Sequence, residues 1–216
     1  MHDKTEQDNS ANKVIKRADK AKPPSHGRVI KKAKKITESY LHNAGLYYLQ
    51  RFASSTTQFR RVMKRKIDKS CQDHPDQDKE ACLLMLETLI EKFVRSGLLN
   101  DDLYTTSTVR SLRTRGTSQK AIITKMATKG IAEDQARKAL KSWDEDSGHS
   151  DMKAALTLAR KKRLGPYFKG DKAESSSLQN KWLSSMARAG FDFETARKVL
   201  TLTADDLESF TEEYGL

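Results

Sequence analysis

Part of this chain is written twice. Gly130-Ile131, followed by Ala136-Arg137-Lys138 and Leu140, returns sixty residues later as Gly190-Phe191, Ala196-Arg197-Lys198 and Leu200. The register holds upstream without a gap, where Ile123, Met126 and Ala127 align on Leu183, Met186 and Ala187. Self-similarity at a fixed period marks an array of supersecondary units. Each copy sets apolar residues at helical spacing on both sides of a Gly corner, which predicts two helices joined by a tight turn. A further helical segment precedes each copy, over 101–115 and 151–163, so each unit is read as three helices.

The same cycle is legible before the first copy. Thr37 can cap a helix to about Ala53 with Tyr40, Ala44, Tyr47, Tyr48 and Leu49 on its apolar face. Ser55 to Gln58 has the form of a capping box opening a helix with Phe59, Val62, Met63 and Ile67 inward. Cys71 to Asp78 reads as a polar loop, and a helix over 79–96 carries the stripe Cys82, Leu86, Leu89 and Phe93 up to Gly97. Asn100 to Asp102 starts the next helix, which Gly116 closes; Thr117 or Ser118 caps the one that stops at Gly130; another runs from Glu133 to about Trp143. Asp144 to Ser150 reads as an acidic, Gly-containing linker. The expected fold is all-α: three tandem three-helix-bundle repeats over 36–99, 100–146 and 150–203. A unit of about 50 residues buries too little apolar surface to stand alone, so the repeats are expected to stack into an elongated, curved array.

Charge is unevenly spread around the net +12. Residues 1–35 hold eleven Lys or Arg against four acids and almost no large apolar side chains, a composition that predicts a flexible basic arm. Residues 204–216 hold Asp205, Asp206, Glu208, Glu212 and Glu213 with no base, and read as an acidic tail. The body between them is strongly basic and should attract polyanions or acidic protein surfaces. A membrane span needs about 18 consecutive apolar residues, and no such run occurs; the N-terminus also lacks the apolar core of a secretory signal. The expectation is a cytoplasmic protein, and a monomer.

Material for catalysis is sparse. There is no phosphate-loop motif, and the five histidines are scattered between arm, loops and one helix. Cys71, Cys82 and His74 do not have a zinc spacing. Cys82, on the stripe with Leu86, Leu89 and Phe93, reads as a buried apolar residue, and no disulfide is expected in a reducing compartment. No enzymatic activity and no cofactor are expected. The basic clusters are more telling: Arg60, Arg61, Lys64 and Arg65 opposite an apolar face; Arg110, Arg113 and Arg115; Lys125 and Lys129; and Arg160, Lys161, Lys162 and Arg163. Each cluster alone fits a solvated face, or cations at a helix C-terminus in the case of 160–163. Together, on successive units, they read as a surface for an acidic protein or a nucleic-acid backbone. The alternative is a free-standing helix-turn-helix DNA reader, but the second helices lack a set of Arg, Asn and Gln suited to base edges. Any DNA contact should be weak and backbone-directed.

Motif order then points to a family. Tyr48-Leu49-x-Arg51, Ser55-x-x-Gln58-Phe59-Arg60 and Gly97-Leu98-Leu99-Asn100-Asp101-x-x-Tyr104 resemble the opening of RecX proteins, with Arg115-Gly116, Lys129-Gly130-Ile131, Ala136, Leu140, Ala159 to Lys162, and Arg188-x-Gly190-Phe191 with Ala196 in matching order. The resemblance spans about residues 46–200. It implies a protein that lodges in the groove of a RecA-DNA filament and inhibits RecA's ATPase, strand-exchange and co-protease activities, thereby modulating DNA repair, recombination and the SOS response. Gln58 and Phe59 stand where the family has an acidic residue and Leu, and Asn100 stands where Asp is common; both changes keep the capping chemistry. The basic arm is not a usual part of the family.

Overall fold

The computed structural model describes residues 32–148, 150–170 and 172–214; the basic arm up to residue 31 lies outside the described residues. Ten α-helices and one 3-10 turn, with no strand among the described residues, make the body all-helical. They are α1 (Glu38–Leu49), α2 (Thr56–Asp73), α3 (Lys79–Arg95), α4 (Asp101–Thr114), α5 (Gln119–Thr128), α6 (Glu133–Ser147), α7 (Asp151–Lys162), α8 (Lys172–Arg188), α9 (Phe193–Leu200) and α10 (Ala204–Tyr214), with the turn Gly165–Tyr167 between α7 and α8. Helix starts follow the local chemistry. Thr37, Ser55, Asp78, Asn100, Ser118, Ser150 and Asp192 each accept a backbone N–H from the first turn of the helix that follows, satisfying a donor the helix cannot satisfy itself.

The buried apolar residues fall into three clusters, each drawn from three consecutive helices. Phe59, Met63 and Ile67 of α2 meet Cys82, Leu86, Ile90 and Phe93 of α3 and Leu41 of α1, with the Phe59 and Phe93 rings 5.7 Å apart. Val109 and Leu112 of α4 meet Ile122 and Met126 of α5, Ile131, and Ala136 and Leu140 of α6. In the third cluster Ala155, Leu156 and Ala159 of α7 meet Trp182 and Met186 of α8, Phe191, and Ala196, Val199 and Leu200 of α9. The sixty-residue repeat maps residue by residue onto this arrangement: Ile122, Met126, Ile131, Ala136 and Leu140 are buried, and so are Trp182, Met186, Phe191, Ala196 and Leu200. At about 1.5–3 kcal/mol for each large side chain removed from water, these positions carry much of the stability of both copies.

Successive clusters are joined by the same polar device used twice. The Ser55 hydroxyl caps α2 by accepting from Gln58 N, and donates its own proton to Lys129 O at 2.6 Å. Ser118 caps α5 by accepting from Ala121 N, and donates to Ala189 O at 2.7 Å. The next backbone N–H in each case goes to an aspartate opening a later helix: Thr56 N to Asp101 Oδ1 at 2.7 Å, and Gln119 N to Asp151 Oδ1 at 2.9 Å. The residue after each accepting carbonyl is a glycine of positive φ, Gly130 (+77°) and Gly190 (+88°). A Cβ on Gly130 would fall 2.4 Å from Thr57 Cβ, and one on Gly190 would fall 2.6 Å from Ser118 Oγ. These two glycines are therefore required by backbone conformation and by close approach together.

Several local expectations are corrected. α1 ends at Leu49 rather than near Ala53. α2 continues to Asp73, so Cys71 is helical rather than the start of a loop. The supposed linker at Asp144 is the last turn of α6, which runs to Ser147 and ends on Gly148 in the left-handed region. The acidic tail is largely helix: α10 lays Leu207 and Phe210 against the third cluster, and Thr203 Oγ1 caps it through Asp206 N at 3.2 Å. Ahead of α1, Ala33 to Ile36 is bound along the α2–α3 corner, with Ile36 buried and its N–H on Gln77 Oε1 at 3.0 Å.

Candidate protein and nucleic-acid interface

The structure sends the predicted cations to different places. On α2, Arg61, Lys64 and Arg65 are exposed, whereas Arg60 is half-buried. Arg60 grips Glu87 of α3 with two parallel bonds of 2.8 Å, Nε to Oε1 and Nη2 to Oε2. The Glu87 bond raises the Arg60 guanidinium against the smaller opposing effect of burial, and in return Arg60 holds Glu87 below the usual carboxylate range. Arg60 is thus paired with Glu87 at the surface, its side chain still 41% exposed. Arg61 donates to Thr128 O at 2.7 Å, placing a cation on the C-terminal carbonyls of α5, where the helix dipole favours it.

That bond gathers a group that sequence order scatters. Lys125 is exposed in the last turn of α5, and Lys129 is its half-buried C-cap. Arg61 therefore reaches the C-terminal end of α5, whose last turn carries Lys125 and whose C-cap is Lys129, and Arg65 follows one turn farther along α2. On α4 the exposed Arg110 guanidinium lies over the Trp143 ring, 5.1 Å from its centroid, and the exposed Arg115 is the C-cap. Arg160, Lys161 and Lys162 fill the last turn of α7, all exposed, and Lys162 Nζ donates to Ser185 Oγ at 3.0 Å. Arg163 is the exposed C-cap of that helix at φ +55°, the one non-glycine residue of positive φ among the described residues.

Arg113 does not belong to this surface. It is 1% exposed. Its Nε and Nη2 bond Asp144 at 2.9 and 2.6 Å, Nη1 bonds Asp151, and Nη1 also reaches Thr117 O at 3.3 Å. Burial opposes its charge, but the two carboxylates more than offset that and leave the guanidinium raised. The clusters also do not all sit on corresponding helices. The serine contacts make α2 the counterpart of α5, so the α2 cations do not correspond in position to those of α4 and α7.

One group was missed from the sequence. Tyr47, assigned to the apolar face of α1, is 60% exposed, and Phe52 is 52% exposed. The Arg51 guanidinium lies 5.5 Å from the Tyr47 ring centroid and 5.8 Å from that of Phe52, and donates to Tyr47 Oη at 2.7 Å. The Tyr-x-x-x-Arg spacing, which puts both on one helix face, was the available signal. Among the described residues, no three His, Cys, Asp or Glu side chains group so as to hold a metal ion, and no helix is long and apolar enough to cross a membrane.

No family model matches the chain. Individual proteins do. The chain is 38% identical over 170 residues to the regulatory protein RecX of Myxococcus xanthus (strain DK1622), covering 79% of this chain and 89% of the relative. It is 29% identical over 178 residues to the regulatory protein RecX of Agrobacterium fabrum (strain C58), covering 82% and 91%. In fold it superposes on the crystal structure of RecX from Lactobacillus salivarius with a TM-score of 0.51 at 24% identity, over 76% of this chain and 94% of that one. A second crystal structure, of a regulatory protein RecX, gives 0.52 at 18% identity, over 75% and 70%. With identity of that level running through nearly the whole helical body, and with the same fold, the chain belongs to the RecX family.

Proposed function

We propose that the protein is a negative regulator of the RecA recombinase, binding the RecA-DNA filament through a cationic surface and inhibiting RecA's ATPase, recombinase and co-protease activities. Family membership supports the partner. The bond from Arg61 to Thr128 O, at the end of α5 that carries Lys125 and Lys129, is the observation that supports this surface. Lys64, Arg110, Arg115 and the α7 group Arg160, Lys161, Lys162 and Arg163 extend it, whereas Arg113 is withdrawn from it by burial. The three clusters act as three tandem units in this reading, each bringing part of the charge to an acidic protein surface or to phosphates. Direct DNA contact is weak and backbone-directed. The protein works in the cytoplasm as a monomer.

The test is RecA-dependent ATP hydrolysis on single-stranded DNA. The protein should inhibit it at fewer than one copy per RecA protomer; no inhibition at that ratio refutes the proposal. The triple variant Lys64→Glu, Arg65→Glu, Lys125→Glu leaves Arg60 and Arg61 with their bonds to Glu87 and Thr128 O, and should keep its helicity while needing more protein for half-inhibition. Unchanged inhibition moves the contact surface elsewhere. In a DNA titration without RecA, each lost phosphate contact lowers the salt slope by about 1. Tight sequence-dependent binding in that titration supports a free-standing DNA reader instead.

A further inference from the structure

Two aromatic rings stand in solvent at the end of α1, and the structure fixes them there. Tyr47 and Phe52 are both more than half exposed, and the exposed Arg51 guanidinium lies over each ring. The turn that follows α1 is closed tightly: the Arg51 and Phe52 N–H groups both donate to Tyr48 O, at 3.1 and 3.0 Å. Phe52 is braced from within by the Tyr48 ring, 5.3 Å away, and Tyr48 lies 6.1 Å from Phe59 of the first core cluster. A Tyr-Arg pair four residues apart stabilises a helix end, which accounts for Tyr47 and Arg51. It does not account for Phe52, which lies beyond the helix and sets a second exposed ring against the same cation.

The chain after Phe52 leads to the cationic end of α5. Ser55 donates to Lys129 O at 2.6 Å, and Arg61 donates to Thr128 O at 2.7 Å. Three residues of chain span at most about 10 Å, so Phe52 stands within that distance of Ser55 and its bond to the α5 C-cap. We propose that Tyr47, Arg51 and Phe52 form a stacking platform for the bases of a single-stranded nucleic acid, whose phosphates meet the cations of α5 and α2. This deepens the reading of the cationic surface as one that faces phosphates, and rests on it. Every base has a π-face, and aromatic rings and guanidinium planes take it without regard to sequence. Arg51 both orients the rings and adds its own charge. A protein partner would need a contact of about 800 Å² on each side, far more than two rings and a cation offer, whereas one or two bases fit them. A duplex, with its bases stacked inside, would gain only the backbone contacts.

The test uses the full chain without RecA, in fluorescence anisotropy titrations of labelled oligothymidylate and of an equally long strand of abasic sites. Wild type should bind the strand with bases about tenfold more tightly. The variant Tyr47→Leu, Phe52→Leu keeps apolar side chains but loses both rings; it should bind both strands alike, with the salt slope of wild type, because no phosphate contact is removed. Tyr47→Phe keeps the ring and loses only the hydroxyl bond to Arg51, and should bind as wild type does. Far-UV circular dichroism checks that each variant is folded, and the comparison of the two strands on wild type needs no variant. The platform is overturned by equal affinity of wild type for the two strands, or by a Leu variant that keeps the preference for bases. It is also overturned by a Leu variant that binds oligothymidylate normally yet loses RecA inhibition, which would assign the rings to a protein contact. Salt-dependent binding that is indifferent to bases refutes the platform alone, whereas binding that does not weaken with salt refutes the phosphate-facing surface beneath it.

Discussion

Arg113→Met should be among the most damaging single changes to the body. The guanidinium, 1% exposed, bonds Asp144 on the last turn of α6, Asp151 on the first turn of α7, and Thr117 O. One buried cation on α4 thereby grips both flanks of the turn at Gly148. Met fills a similar volume, so little of the cost comes from a cavity; it comes from two carboxylates left facing each other without a counter-charge. Breaking a buried pair by removing one partner costs about 3–5 kcal/mol. Asp144 and Asp151 keep 23% and 28% side-chain exposure and can regain some water, which puts the expected loss at the lower end, about 3 kcal/mol. For a chain of this size that lowers Tm by roughly 6–12 °C, read by far-UV circular dichroism and checked by urea denaturation. If stranded charge is the cause, the triple variant Arg113→Met, Asp144→Asn, Asp151→Asn should recover at least half of the loss, because a whole buried ion cluster can be replaced at little net cost. A Tm within about 2 °C of wild type for Arg113→Met, or a triple variant no better than the single, refutes the reasoning.

Two glycines of equal backbone conformation separate strain from packing. A Cβ on Gly97 (φ +76°) would meet nothing within 4 Å, whereas one on Gly130 (φ +77°) would fall 2.4 Å from Thr57. Gly97→Ala should cost about 1–2 kcal/mol of left-handed strain, and Gly130→Ala clearly more; equal urea midpoints for the two variants would show that the α2–α5 junction yields without cost. Asp192 accepts Thr195 N at 2.7 Å as the N-cap of α9, and that backbone bond, foremost, with the Thr195 hydroxyl, lowers its carboxyl from the ordinary value. A carboxyl lowered on folding contributes stability above its unfolded pKa, about 3.9, and loses it as pH falls through the folded value. Asp192→Ala should therefore cost about 1 kcal/mol near neutral pH, with the gap to wild type closing in acid; a gap that persists at low pH refutes the capping account.

What was legible in the sequence was whatever is encoded within one or two turns. Ser55, Asn100 and Ser118 cap the helices their spacing suggested, and the sixty-residue register foretold that Met126 and Met186, or Leu140 and Leu200, share one fate. Arg113 was misjudged because its neighbours in sequence, Arg110 and Arg115, are exposed, and because its partners stand 31 and 38 residues away. One of those partners lay in a stretch whose acids and Gly148 imitate a linker. Helical periodicity does not say which charged residue will find a carboxylate across a turn. α10 was hidden by its charge, yet Leu207 and Phe210 at helical spacing after a Thr-x-x-Asp cap were a readable signal. The cation group at the α2–α5 junction had no sequence signal, since it depends on Arg61 reaching Thr128 O, 67 residues on.

The identity of the residue at positions 55 and 118 follows from the double duty it performs. Capping alone asks for an oxygen that accepts a backbone N–H, and an aspartate serves, as Asp78 and Asp192 do at α3 and α9. At 55 and 118 the same oxygen must also donate, to Lys129 O and Ala189 O, and an ionised carboxylate has no proton to give. A carboxylate there would cap its helix while setting two acceptors against each other at the junction. A hydroxyl is the smallest group that does both, and Ser fits beside glycines whose missing Cβ leaves the carbonyl in reach. The aspartates complete the arrangement from the other side: Asp101 and Asp151 open their own helices while accepting the N–H that follows each serine. Local helix chemistry and the contacts between successive clusters thus depend on the same four side chains, each of which also stands at the start of a helix.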